Sequence, residues 1–327
     1  MDVGGVSNTA MVTAAVIYLF AAIAHAAEWA AARGTGETTG ERRTRERQLV
    51  GASVGEPGSG SVALQAGAGD PVDDERALLR VDRFGRIGVA LTLVAFVVHA
   101  LAVVTRGLAA DRFPWGNMYE FVSTSLLFVV AVHLFLAVRL GQRWLGLLVT
   151  LLSTVGMGLA VTVFYVDVAP LVPSLHSAWF LFHIVAAALS GAAFNVGALA
   201  SILYLVKDRA ERRGTVRGYL AKLPSARQID LIAYRAHAFA FPLWTFTIAA
   251  GAVWAQYAWG RFWGWDPKET MSLVTWVIYA GYLHARATAG WRGTPAAVMA
   301  ITGVVAFWFN FIGINLLVSG LHSYAGV

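Results

Sequence analysis

Along the chain, apolar runs of about 20 residues alternate with short polar stretches, and about 20 apolar residues is the helical length that crosses a bilayer's hydrocarbon core. The pattern predicts eight such helices, at roughly 10–30, 84–104, 118–138, 144–164, 178–206, 236–258, 269–285 and 295–318. The fifth is long enough to tilt or to project beyond the bilayer. The expected fold class is all-α, a polytopic transmembrane bundle with both termini on the outer side. It divides into an N-terminal transmembrane helix (1–30), a flexible cytoplasmic linker (31–83) and a membrane domain (84–327). The linker assignment rests on residues 34–75, which are rich in Gly, Glu, Arg, Ser and Ala and nearly devoid of aromatics. Residues 207–230 read as a short amphipathic or surface helix. The first apolar run lacks a basic segment before it and reads as a retained helix rather than a cleaved signal.

Composition agrees with this reading. Of the 327 residues, 57% are hydrophobic and only 13% charged, against about a quarter charged in soluble domains. The net charge of +6 does not point to nucleic acid, because the basic residues sit in alternate loops. Loops 31–86 and 207–235 carry nine and eight Lys or Arg, and the two other loops of that parity carry two each. The intervening loops carry two (Arg106, Arg112), none, and two (Arg261, Lys268), and the C-terminal tail none. Positive charge collects on the cytoplasmic side, so the loop around residue 260 is expected to face out. There is no cysteine, so the chain makes no disulfide and no thioether bond of its own.

Chemistry concentrates in the outer loop W-G-R-F-W-G-W-D-P-K-E-T, Trp259 to Thr270. Asp266, Pro267 and Glu269 have the spacing of a helix cap, first helical residue and capping box. Trp259, Trp263 and Trp265 fit two readings. One is an interfacial aromatic belt; the other is a stacking platform for a conjugated ring. Gly260 and Gly264 would let backbone approach a flat ligand, and Arg261 and Lys268 would meet carboxylates. These neighbours favour the platform, with haem as the flat, apolar, dianionic ligand.

Of eight histidines, three fall on the side of this loop: His176, His183 and His322. Two imidazoles facing each other are a common axial pair for haem iron. His183 and His322 are the preferred candidates, with His176 behind them. His284 lies near the inner end of its helix, where it would meet haem deeper in the membrane or simply form a hydrogen bond. His25, His99, His133 and His237 are expected to be satisfied by bonds between helices. In F-P-W-G-N-M-Y-E-F, residues 113–121, Glu120 is expected to play a structural part at a helix start.

The tryptophan loop resembles the WWD signature of haem-handling proteins of cytochrome c maturation, and in particular the CcsA (ResC) family of System II. F-P-L-W-T-F-T-I-A-A-G-A-V-W-A before it is similar too, as are W-V-I-Y-A-G-Y-L-H-A-R and N-F-I-G-I-N-L-L-V-S-G-L-H-S-Y after it. The early P-W-G-N-M-Y-E-F segment completes a resemblance covering most of residues 84–327. The resemblance implies that His183 and His322 ligate haem b beside the loop, non-covalently and in transit. It also implies that His284 receives haem within the bilayer. The partners implied are a separate CcsB (ResB)-like membrane protein bearing the second membrane histidine, apocytochromes c with a C-x-x-C-H motif, and thiol-reducing proteins. The chain would then be a component of a holocytochrome c synthase at the cell membrane, its haem site extracytoplasmic. A haem exporter, a System I delivery protein and an electron-transfer subunit remain as alternatives. The N-terminal helix and linker depart from the family's shorter forms, and the resemblance assigns no role to His25.

Overall fold

A computed structural model describes residues 3–32, 71–171 and 173–322. The helices are α1 (Val3–Ala31), α2 (Pro71–Ala110), α3 (Met118–Arg139), α4 (Gly146–Thr162), α5 (Ala178–Arg212), the short α6 (Tyr219–Lys222), α7 (Ala226–Trp259), α8 (Pro267–Thr288) and α9 (Thr294–Trp308). A π-helical turn, Phe309–Gly313, leads from α9 into one last turn, α10 (Ile314–Leu317). The described residues form no strand, and the protein is an all-α polytopic membrane bundle.

Among the described residues seven helical stretches are long and apolar enough to cross a membrane. The one expected span not among them, 269–285, is α8. At 22 residues it is about 33 Å long, but Ser272, Thr275, Tyr279, Tyr282, His284 and Arg286 make it more polar than its neighbours. Two sequence expectations need correction. Residues 71–83 belong to α2 rather than to a flexible linker; the rest of the linker, 33–70, lies outside the described residues. Residues 207–230 are not one surface helix. They contain the end of α5, the turn α6 and the start of α7, where Ser225 and Gln228 form a capping box.

Helix pairing builds two packed halves. α1 lies along α2, and both pack with α3 and α4 around Met11, Tyr18, Leu126, Val130 and Leu145. α5 lies along α7, and these pack with α8 and α9 around Phe194, Trp244, Tyr279 and Phe307. α3 and α4 meet α5, joining the halves. A third, small cluster of Leu175, Phe180 and Trp254 closes one end of the bundle, beneath Trp259.

That end is held by polar bonds. Glu120, buried at the first turn of α3, accepts from Arg106 Nε (2.9 Å), Arg112 (2.6 Å) and the backbone N–H of Gly116 (2.8 Å). Arg106 and Arg112 also donate to the carbonyls of Val166 and Ala169 in the α4–α5 loop. One carboxylate thus ties two loops together, the structural part expected of it. Two arginines offset the cost of burying it, since a buried charge must be paired and hydrogen-bonded.

Candidate functional site

At the end of the bundle that carries the tryptophan loop, the two halves leave a cavity. It encloses about 1110 Å³ of space between side chains, its open mouth included. Its wall is largely apolar and aromatic, with contributions from α5, α7, the segment 115–121, the loop and the π-helical turn. His183 and His322 both line it.

Each imidazole is held through Nδ1. His183, in the second turn of α5, donates from Nδ1 to the carbonyl of Thr247 on α7 at 2.8 Å. One turn further along α7, a Cβ at Gly251 would stand 2.7 Å from that nitrogen. Only glycine leaves the ring its place. His322 shares its Nδ1 proton with Asp266 Oδ1 at 3.0 Å. The same carboxylate accepts from the N–H groups of Leu321 (2.9 Å) and Lys268 (3.1 Å), and a Cβ at Gly320 would meet it at 2.8 Å. Asp266 therefore caps α8, as its spacing predicts, and also fixes the segment after α10. Burial opposes ionisation of Asp266, but the bonds from His322, Leu321 and Lys268 outweigh it and hold the carboxyl at about 2. Burial holds the His322 imidazole below its ordinary value of 6.5, against the pull of Asp266.

Trp254, not singled out from the sequence, touches both histidines. Its ring is stacked on His183 at 5.7 Å and meets His322 edge-on at 5.9 Å. Trp259 packs against Trp254 (4.8 Å) and His322 (5.0 Å). The signal for Trp254 is helical spacing: Thr247, Gly251 and Trp254 recur at four and three residues on one face of α7.

The other expected residues separate by role. Trp263 lines the cavity and meets Trp265 at right angles, 5.8 Å away. Trp265 is 68% exposed, does not line the cavity and has φ 59°, a left-handed conformation that costs a bulky residue. Gly260, at φ 71°, ends α7. Arg261 pairs with Glu269 at 3.1 Å and is not in the wall. Glu269 also accepts from the N–H groups of Gly264 and Asp266, so Gly260, Arg261 and Gly264 shape the loop. Lys268 is the cation in the wall; its Nζ donates to Asn315 Oδ1 at 2.8 Å and lies over Phe311. His176 is exposed on the α4–α5 loop and does not line the cavity. His284 is exposed near the opposite end of α8.

Of the four remaining histidines, His99 makes the expected bond between helices, its Nδ1 3.3 Å from Tyr18 Oη, whereas His25 pairs with Glu28 on its own helix and the other two depart from expectation. All are buried, yet His133 and His237 have no hydrogen-bond partner at either nitrogen, nor do His25 and His99 at Nε2.

The sequence profile of cytochrome C assembly proteins matches residues 88–322. The cytochrome c biogenesis protein CcsA of Microcystis aeruginosa is 36% identical over 292 residues, covering 73% of this chain and 87% of that protein. Its counterpart from Guillardia theta is 35% identical over 260 residues, with 73% and 85% covered. The chain belongs to the CcsA (ResC) family. Membership carries a role in cytochrome c biogenesis. Among solved structures, a cytochrome c haem lyase, CcmF, superposes with a TM-score of 0.62 at 14% identity. The match covers 95% of this CcsA-family chain and 47% of CcmF, and at that identity the likeness is one of fold.

Proposed function

We propose that this chain holds haem b at the tryptophan-loop end of the bundle, between His183 and His322, and presents it for attachment to apocytochromes c. The observation that carries the reading is the way the two imidazoles are held. Both line one aromatic cavity, and both have Nδ1 engaged, one by a carbonyl and one by a carboxylate. Metal-ligating histidines are fixed by such an outer bond, which sets the tautomer and raises basicity at the other nitrogen. Trp254, Trp259 and Trp263 offer stacking faces. Lys268, whose pKa burial lowers to about 7, offers an amine that a haem carboxylate would hold protonated; Arg261, already paired, does not.

In this reading the tryptophan-loop end is extracytoplasmic, following the charge of the loops. Haem, as substrate, supplies the iron and the vinyl groups. The chain ligates, orients and shields it, and the thiols come from the C-x-x-C-H motif of the apocytochrome, kept reduced by thiol-reducing proteins. His284, exposed on α8, suits transfer of haem from a ResB-like partner. Family membership favours System II over System I delivery or plain export.

The test is spectroscopic. Chain purified with its partner from haem-sufficient cells is expected to show a six-coordinate, low-spin haem b spectrum. His183→Ala and His322→Ala should each lose the low-spin signature and regain maturation when imidazole is added, whereas His284→Ala should lower haem content as a whole. No Soret band in the wild-type preparation would sink the proposal.

A further inference from the structure

A second concentration of buried titratable groups lies in the other half of the bundle, between α1, α2, α3 and α4. It starts where α1 ends, before the residues shared with the assembly-protein profile. At the mouth stand Asp82 and Arg143, half-exposed and 3.5 Å apart, with Lys222 exposed nearby. Behind them the buried Tyr219 hydroxyl donates to Glu28 Oε1 at 3.3 Å, and Glu28 Oε2 lies 3.2 Å from His25 Nδ1. His25 Nε2 and both nitrogens of His133 have no partner in the protein. Further along, Tyr18 Oη lies 3.3 Å from His99 Nδ1, and His99 Nε2 is again unpartnered. The three imidazoles are 0–1% exposed.

The site for His25 is built. A Cβ at Gly88 or Gly146 would stand 2.6 or 2.5 Å from its ring, so α2 and the start of α4 are both reduced to bare backbone at this height. Burying polar nitrogens without bonds costs free energy, and an apolar side chain would avoid that cost. Imidazole offers something an apolar residue does not: it takes a proton on one nitrogen and releases it from the other. Ionisable groups kept inside membrane bundles recur in proton relays. Glu28 to Tyr18 spans about 15 Å along α1, roughly half of a hydrocarbon core about 30 Å thick. Beyond Tyr18 the buried face of α1 is Ala14, Met11, Ala10 and Ser7, whose hydroxyl is bonded to the Ala102 carbonyl, and the titratable series stops. The next charged groups, Arg106, Arg112 and Glu120, bond one another at the far end of the bundle.

We propose that Glu28, His25, His133 and His99 form a proton half-channel linking the basic end of the bundle with the middle of the membrane. Glu28 exchanges protons with the mouth and supports a transient imidazolium at His25. His133 and His99 receive the proton deeper in. The path does not depend on haem and is separate from the tryptophan-loop site.

Hydrogen–deuterium exchange at the imidazole Cε1 position, followed by mass spectrometry on the full chain in lipid nanodiscs, tests this. The reaction runs through the imidazolium and needs access to hydroxide, so it reports proton exchange at each histidine. His237 is the internal control: equally buried, unpartnered, and pressed against Phe194, Tyr279 and Tyr282. His25 and His133 should exchange on the order of tenfold faster than His237, whose closed packing keeps exchange slow. Glu28→Gln should slow both and leave His322 and His237 unchanged, while Glu28→Asp, which keeps the carboxylate, should leave them fast. Exchange at His25 and His133 as slow as at His237, or insensitive to Glu28→Gln, would overturn the proposal.

Discussion

Single atoms decide the geometry of the two cavity histidines. A methyl group at residue 251 has no room beside His183 Nδ1. Gly251→Ala should therefore displace the ring at about 1–3 kcal/mol of overpacking, with the low-spin spectrum lost while membrane abundance stays close to wild type. Asp266→Asn tests the carboxylate separately from the cap. Asparagine caps helices about as well as aspartate, so α8 should persist. The negative charge of the acceptor facing His322 Nδ1–H is lost, however, and outer-shell changes of this kind typically weaken metal binding about 10–100-fold. A haem titration of the purified variant should show that loss; unchanged affinity would mean that Asp266 acts only as a cap.

At the scale of elements, the tryptophan loop is a short span between two helix ends rather than a free platform. Gly260 ends α7, Asp266 and Glu269 start α8, and Arg261 is used up inside the loop. Its tryptophans are consequently unequal. Trp259→Ala and Trp263→Ala should each weaken haem retention by on the order of 1–3 kcal/mol, the cost of losing a large buried apolar group. Trp265→Ala should leave retention near wild type, because its ring lies outside the cavity; the same haem titration separates the three. The loop's caps and the histidines were legible in the sequence, because capping needs particular residues at fixed spacing and intramembrane imidazoles are conspicuous. Trp254 was not, because a tryptophan in an apolar helix looks like any other core residue until its neighbours are known. The sorting of Arg261 from Lys268 was hidden for a similar reason: both are basic, and only the fold shows that Glu269 claims one of them.

For the whole molecule, helix number, type and approximate limits followed from hydropathy, which the bilayer enforces strongly. Two misreadings came from regions where that constraint is absent. Residues 71–83 and the ends of α5 and α7 are polar helix continuing beyond the apolar runs, and polarity alone looks like linker. Orientation can be tested directly, since a chain without cysteine takes single reporters. Asp167→Cys, on the α4–α5 loop, should react in intact cells with a membrane-impermeant maleimide, and Thr215→Cys, between α5 and α6, only after permeabilisation. The reverse pattern would invert the molecule and remove the extracytoplasmic assignment of the cavity.

The indole of Trp254, in contact with His183, His322 and Trp259, has an optical consequence. Tryptophan emission overlaps the near-ultraviolet absorption of haem, and energy transfer over a few ångströms is nearly complete. These two rings should go dark whenever the cavity is filled and brighten as it empties. Set against a Trp254→Phe, Trp259→Phe reference, their fluorescence would follow loading and release in real time, with no label added.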